Sequence, residues 1–112
     1  MIIESNKTDK LLIVTPMEKR IDAYSAKDFK GKMVDWINEG NFHILIDLVN
    51  VDFIDSSGLN AIVSSLKTIG KNGDLYLCSI NETIMSMFRL TRLNRVFKMF
   101  DSKDKAVEAL SS

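Results

Sequence analysis

The sequence predicts an α/β fold, a single domain in which a mixed, mostly parallel sheet of four to five strands packs with about four helices. Three observations lead to this prediction. Short apolar runs rich in β-branched residues alternate along the chain with segments whose apolar residues recur at helical spacing. The 112 residues are enough for one hydrophobic core and too few for two domains. No internal repeat, low-complexity tract or linker divides the sequence, so we expect one domain over residues 1–112.

The first strand is predicted at residues 11–14, where Leu-Leu-Ile-Val precedes Pro16. A proline has no backbone N–H to donate to a neighbouring strand, which favours an end of the strand there. We also expect residues 1–5 to form an edge strand, with residues 6–10 as the turn between the two strands.

The first helix is predicted over residues 26–39, with Ser25 as its N-cap and Asp28 at its positive end. Its buried face is predicted from apolar residues at helical spacing, which are Phe29, Met33, Trp36 and Ile37. Gly40 stands where a glycine commonly terminates a helix.

The middle of the chain predicts a central strand followed by a second helix. Residues 42–48 are almost continuously apolar, which is typical of a strand covered on both faces. Residues 51–54 form a short extended stretch that leads to the turn at residues 55–58. From Ser57 onward the apolar period becomes helical and continues to the glycines at 70 and 73; its members are Leu59, Ile62, Val63, Leu66 and Ile69.

The last third of the chain predicts two more strands and two more helices. Residues 74–78 are a strand, and Asn81 starts the third helix. Residues 95–100 give a last short strand, after which Ser102 caps a terminal helix.

Composition excludes several functional classes. Fifteen basic and fifteen acidic residues cancel, so no global field attracts nucleic acid or an anionic membrane. Cys78 is the only cysteine, which excludes an intramolecular disulfide and a cysteine-based zinc site, and its apolar neighbours predict a buried thiol. Residues 1–5 lack the basic region and long apolar stretch expected of a signal peptide, and no apolar run approaches the roughly 20 residues that span a bilayer. We therefore expect a cytoplasmic protein without a membrane partner.

The turn Asp55-Ser56-Ser57-Gly58 lies where a helix follows a strand, the place where functional groups gather in open α/β sheets. The positive end of a helix tolerates an anion, and a phosphate on a serine there adds roughly −1.5 to −2 charges. A serine at this place can also simply cap the helix. The residues alone leave both interpretations open.

A resemblance to a known family extends over almost the whole chain. Residues 46–59, Ile-Asp-Leu-Val-Asn-Val-Asp-Phe-Ile-Asp-Ser-Ser-Gly-Leu, resemble the signature of the anti-sigma factor antagonist family, the STAS domain. Residues 21–26 resemble the loop before the first helix of that family. Residues 73–75, 87–90 and 93–97 are similar to parts of its C-terminal half.

The resemblance implies a regulatory protein without enzymatic activity. Ser56 would accept a phosphate, and the partner-binding positions would be Asp22, Asp55, Ser57, Gly58 and Leu59. When unphosphorylated, such a protein binds a serine kinase that doubles as an anti-sigma factor and thereby releases the target of that factor. A PP2C-type phosphatase would reverse the phosphorylation. The alternative is a non-switching scaffold or sensor module in which Ser56 only caps the helix.

The chain departs from the family pattern at Lys19-Arg20, where the family usually has Gly-Glu. This replaces an acidic residue by arginine beside the predicted binding face and leaves the acceptor motif unchanged. We expect a monomer, since the charges balance and the sequence shows no obvious exposed apolar stripe. We expect no nucleotide cofactor, because the sequence contains no glycine-rich phosphate loop, and no metal, because His43 has no second histidine or cysteine nearby.

Two enzyme-like interpretations fail on specific positions. A nucleophile elbow requires glycine two residues before the serine, where this chain has Ile54, and His43 is the only histidine available as a base. A phosphoacceptor-aspartate receiver needs an acidic pair after the first strand to hold magnesium, and residues 15–17 contain none.

Overall fold

The computed structural model describes residues 1–111, in which strands and helices alternate as the sequence predicts. The strands are β1 Ile3–Thr8, β2 Leu11–Pro16, β3 Arg20–Ile21, β4 His43–Asp47, β5 Phe53–Ile54, β6 Asp74–Cys78 and β7 Lys98–Phe100. The helices are α1 Ala26–Asn38, α2 Ser56–Ile69, α3 Glu82–Leu90 and α4 Lys103–Ser111. Two short 3₁₀ turns cover Gly70–Asn72 and Leu93–Arg95.

Five strands form the main sheet in the order β1-β2-β4-β6-β7. Only β1 and β2 pair antiparallel, whereas the other neighbours are parallel. The predicted mixed, mostly parallel sheet with about four helices is therefore confirmed. β3 and β5 lie outside this sheet as a separate parallel pair, with Arg20 opposite Phe53 and Ile21 opposite Ile54.

The two faces of the main sheet carry separate apolar clusters, because successive side chains of a strand point to opposite faces. Helices α1, α2 and α3 cover the larger cluster, in which Phe29, Ile44, Ile62 and Phe88 are completely buried. The other face has a smaller cluster under α4; its buried members are Leu11, Ile13, Leu45, Tyr76, Cys78 and Ala106. The continuous apolar run at residues 42–48 follows from this burial of β4 on both faces.

Cys78 is buried in the smaller cluster, as the sequence predicts. Burial away from water disfavours the thiolate and, with the nearby Asp47 carboxylate, raises the pKa of the Cys78 thiol to about 12. The thiol therefore stays protonated at neutral pH. None of the helices within residues 1–111 is long and apolar enough to cross a membrane.

Three local expectations were wrong. The edge strand runs to Thr8 rather than Ser5, and only Asp9 and Lys10 form the turn. An edge strand exposed to water can be polar, so its composition resembles that of a loop. The last strand begins at Lys98 rather than Arg95, because residues 93–95 form a 3₁₀ turn.

The N-cap predicted at Ser25 is also absent, although α1 begins at Ala26 as expected. The hydroxyl of Ser25 accepts a hydrogen bond from the backbone N–H of Asp22 at 3.0 Å, so it serves the preceding loop instead of the helix. At the other end of α1, Gly40 adopts a φ of +98°, the left-handed conformation that terminates a helix.

Candidate functional site

Residues 55–58, the predicted phosphoacceptor turn and hereafter the acceptor turn, join β5 to α2, and Asp55 is the residue that caps the helix. Its backbone is extended, with φ −90° and ψ −175°, and its Oδ1 accepts a hydrogen bond from the backbone N–H of Gly58 at 3.0 Å. The backbone N–H of Leu59 donates to the carbonyl of Asp55 at 2.9 Å, which closes the first helical turn. The interpretation of Ser56 as a helix cap is therefore wrong, because the carboxylate one residue earlier occupies the N-cap position.

Asp55 also holds the loop before α1. Its Oδ2 accepts a hydrogen bond from the backbone N–H of Ala23 at 3.2 Å, and its own N–H donates to the carbonyl of Ile21 at 3.2 Å. The parallel pairing of β3 with β5 brings these distant segments together. The acceptor turn and the loop at residues 22–25 thus form one continuous surface, defined here as the switch surface.

Asp22 shapes its own loop. Its Oδ1 accepts hydrogen bonds from the backbone N–H groups of Tyr24 at 3.0 Å and Ser25 at 3.3 Å. Its Oδ2 lies 3.7 Å from Nε of Arg20. Tyr24 lies in this loop on the switch surface and is 97% exposed. The sequence analysis did not identify Tyr24 as a site residue. The hydrogen bond from the N–H of Tyr24 to the side chain of Asp22, two residues earlier, is that of an Asx turn. An aspartate in a loop is a sequence signal for such a turn.

The arginine that departs from the family pattern has a structural role in the same region. The guanidinium carbon of Arg20 lies 4.8 Å from the centre of the Phe53 ring, an arrangement that attracts a cation to an aromatic face. This contact spans the β3–β5 pair. A cationic group thus stands at the edge of the switch surface.

Ser56 is the first residue of α2, and its side chain is exposed. Its hydroxyl forms no hydrogen bond to the residues that the structure describes. The side chain of the next residue, Ser57, is less exposed and is half-buried. The first backbone N–H groups of a helix lack partners inside the helix, so they and the helix dipole favour an anion beside Ser56. An exposed hydroxyl in this local field is compatible with a phosphate on Ser56.

Gly58 and Leu59, predicted at partner-binding positions, are both buried. A Cβ atom on Gly58 would collide with the carbonyl oxygen of Ile21 and would lie 2.8 Å from Cγ2 of Ile54. Glycine therefore allows α2 to pack directly against β3. Both residues hold the acceptor turn in place from beneath and present little surface of their own.

The described residues offer no alternative centre of metal chemistry, since no group of three or more His, Cys, Asp or Glu side chains among them could hold a metal ion. His43 lies at the start of β4, and its Nδ1 is 3.1 Å from the hydroxyl of Tyr76.

Stability measurements can separate the roles of the two residues at the helix start. We expect Asp55→Ala to lower the free energy of unfolding by about 1–2 kcal/mol, because it removes the N-cap acceptor. Ser56→Ala should change it by less than about 0.5 kcal/mol, since an exposed side chain without partners is removed. Urea unfolding followed by circular dichroism measures both variants. An equal loss in the two would contradict the assignment of Asp55 as the cap.

Comparison with known proteins gives consistent matches. The STAS domain family model matches residues 3–106. A candidate anti-sigma factor antagonist of Thermotoga maritima is 34% identical over 102 residues, which cover 89% of each chain. An anti-sigma-B factor antagonist of Staphylococcus epidermidis is 31% identical over 74 residues, which cover 65% of this chain and 68% of the relative.

Solved structures agree with these matches. The crystal structure of a candidate anti-sigma factor antagonist from Thermotoga maritima has a TM-score of 0.89 at 30% identity, covering 98% of this chain and 95% of the other. The Bacillus cell fate determinant SpoIIAA, solved in its phosphorylated form, has a TM-score of 0.77 at 17% identity, covering 97% and 99%. The second likeness extends to the fold alone.

Proposed function

The chain belongs to the STAS domain family, and from this premise we propose that it is an anti-sigma factor antagonist whose activity is switched by phosphate on Ser56. Such a protein acts by binding and not by catalysis. The name of the Staphylococcus epidermidis relative, an anti-sigma-B factor antagonist at 31% identity, supports this function. The observation that carries the switch is the exposed Ser56 hydroxyl at the first position of α2.

In the proposed cycle, the unphosphorylated protein presents the switch surface to a serine kinase that is also an anti-sigma factor. Phosphate on Ser56 adds roughly −1.5 to −2 charges at the positive end of α2, where the helix dipole and open N–H groups accept them without unfolding. A partner docked over the same surface would meet a dianion and lose affinity. A PP2C-type phosphatase would restore the binding form.

The carboxylates of the switch surface support this cycle by positioning its parts. Both oxygens of Asp55 accept backbone hydrogen bonds, from Gly58 and from Ala23, and those of Asp22 face its own loop and Arg20. We infer that these two residues fix the geometry of the acceptor and that the partner contacts Ser56, Ser57 and the loop around Tyr24. A large exposed aromatic side chain is a common anchor of protein interfaces.

The net charge of the chain bears on the class of its partners. A net charge of zero gives no general attraction to nucleic acid, so we propose protein partners only. We further propose that the protein works as a cytoplasmic monomer.

Phosphorylation by the cognate kinase tests the proposal directly. After incubation with the kinase and ATP, we expect intact-mass analysis to show one added phosphate and peptide mapping to place it on Ser56. The comparison variant Ser57→Ala should still receive one phosphate, on Ser56, whereas Ser56→Ala should receive none. Phosphate on Ser57 alone, or on neither serine, would contradict the proposed switch.

A further inference from the structure

A pocket of about 240 Å³ opens on the α4 face of the main sheet. A five-stranded sheet is about 20 Å wide, because neighbouring strands lie about 4.8 Å apart, whereas a single helix is about 10 Å across. The nine residues of α4 therefore cannot cover this face completely. The pocket lies at the start of β4, the strand end opposite to the one from which the chain continues to the acceptor turn.

The floor and one side of the pocket are apolar. Leu11 and the ring of Tyr76 belong to the sheet, and Val107 and Leu110 belong to α4. Its volume exceeds the roughly 150 Å³ of an engineered cavity that admits benzene and falls below the roughly 300 Å³ at which sites for drug-sized ligands begin. The occupant that fits is a small molecule with one apolar group.

A stacked pair of rings adds polar groups at the edge. The rings of His43 and Tyr76 are 6.2 Å apart and inclined by 15°, and the Tyr76 hydroxyl lies 3.1 Å from Nδ1 of His43. Burial, with the nearby Asp74 carboxylate, raises the pKa of the Tyr76 phenol, so the hydroxyl keeps its proton and can donate a hydrogen bond to Nδ1. When Nδ1 accepts this hydrogen bond, Nε2 is the ring nitrogen that can donate to a ligand.

The rim carries one charge of each sign on adjacent residues. Asp9 and Lys10 form the turn between β1 and β2 and both line the pocket. Neither forms an ion pair or side-chain hydrogen bond with another residue in the described range 1–111. A lone anion or a lone cation would therefore meet one favourable and one unfavourable charge. A molecule with both charges would satisfy the two together.

We propose that this pocket binds a small zwitterion with one apolar side chain, the chemistry of a free apolar amino acid. Its carboxylate faces the ammonium of Lys10 and Nε2 of His43, and its ammonium faces the carboxylate of Asp9. Its side chain packs on the apolar lining formed by Leu11 of the sheet and by Val107 and Leu110 of α4. The site shares no residue with the switch surface, so its test is independent of the proposed function.

Titrations of the full chain followed by backbone amide NMR test the pocket with four probes. L-phenylalanine should shift the signals of residues 8–11, 43, 76 and 107–111 saturably, with a Kd in the range of about 0.1–1 mM. 3-Phenylpropionate, which lacks the ammonium, and phenethylamine, which lacks the carboxylate, should each bind about fivefold more weakly, as expected for one exposed ion pair. Glycine, which lacks the side chain, should not reach saturation.

Substitutions localise the effect. Val107→Trp should fill the pocket and abolish saturable shifts. Asp9→Asn keeps a residue that tolerates the left-handed turn, and together with Lys10→Gln it should weaken phenylalanine binding about fivefold per substitution. Lys27→Gln on α1 is the matched control and should have no effect.

Three outcomes would overturn the proposal. The first is the absence of saturable shifts with phenylalanine, and the second is saturable shifts that map away from the pocket. The third is binding of 3-phenylpropionate or phenethylamine as tight as that of phenylalanine. The two charge variants keep the test decisive if Val107→Trp fails to fold.

Discussion

Gly58→Ala is expected to lower the free energy of unfolding by about 3 kcal/mol, the upper range for an added group in a packed interior. The new methyl group would collide with the carbonyl oxygen of Ile21, a backbone atom that cannot rotate away. Relief requires α2 to move off β3, which also stretches the hydrogen bond from Gly58 to Asp55. The shift of the urea midpoint at constant m-value measures the loss.

Gly31→Ala is the matched control for this substitution. Gly31 lies exposed within α1, and a Cβ atom there would meet nothing within 4 Å. Since alanine favours the helix over glycine, we expect this variant to gain about 0.5–1 kcal/mol. A gain of similar size in Gly58→Ala would show that the close approach of α2 to β3 does not exist in solution.

Ser56→Asp is expected to weaken binding of the proposed kinase partner by about thirtyfold or more, whereas Ser56→Ala should bind like the parent protein. The carboxylate at position 56 would face acidic groups of the partner, and like charges placed opposite each other across an interface cost several kcal/mol. A loss of about 2 kcal/mol raises the Kd about thirtyfold. The variant should remain folded, because a carboxylate in the first turn suits the helix dipole. Isothermal titration calorimetry gives the affinities.

Ser56→Asn separates charge from size. Asparagine has the shape of aspartate without its charge, so a mechanism based on charge predicts that Ser56→Asn retains most of the affinity. Added salt should also narrow the difference between the Asp and Asn variants. Equal weakening by both substitutions would mean that steric bulk, and not the charge of a phosphate, controls the partner.

The elements predicted correctly are those with a strong periodic signal. The continuous apolar run at residues 42–48 indicates a strand buried on both faces, as β4 is. The buried residues of α2 recur at helical spacing, which is visible directly in the sequence. β3 has two residues, which is too short to display any period, and it pairs with β5 across more than thirty positions. The predicted edge strand ended too early because most of β1 is exposed to solvent. An exposed strand can be polar throughout, so it lacks the alternation of apolar and polar residues on which the prediction depends.

The candidate site was predictable in position but not in detail. The strand-to-helix turn and the family motif both pointed to residues 55–58. Aspartate and serine are both good N-caps, so the sequence does not distinguish them. In the structure Asp55 accepts the hydrogen bond from the N–H of Gly58, and the Ser56 hydroxyl is exposed. The α4-face pocket gave no sequence signal at all, because four separate segments contribute its walls.

The two oxygens of Asp55 bind backbone groups 32 residues away in one direction and three in the other. Local opening of the helix start therefore releases the loop at residues 22–25, and opening of that loop removes a restraint from the helix start. In native-state hydrogen exchange the amides of Ala23 and Gly58 should thus open as one cooperative unit, with a common opening free energy. A partner that binds either the start of α2 or the loop at residues 22–25 should therefore slow amide hydrogen exchange in both.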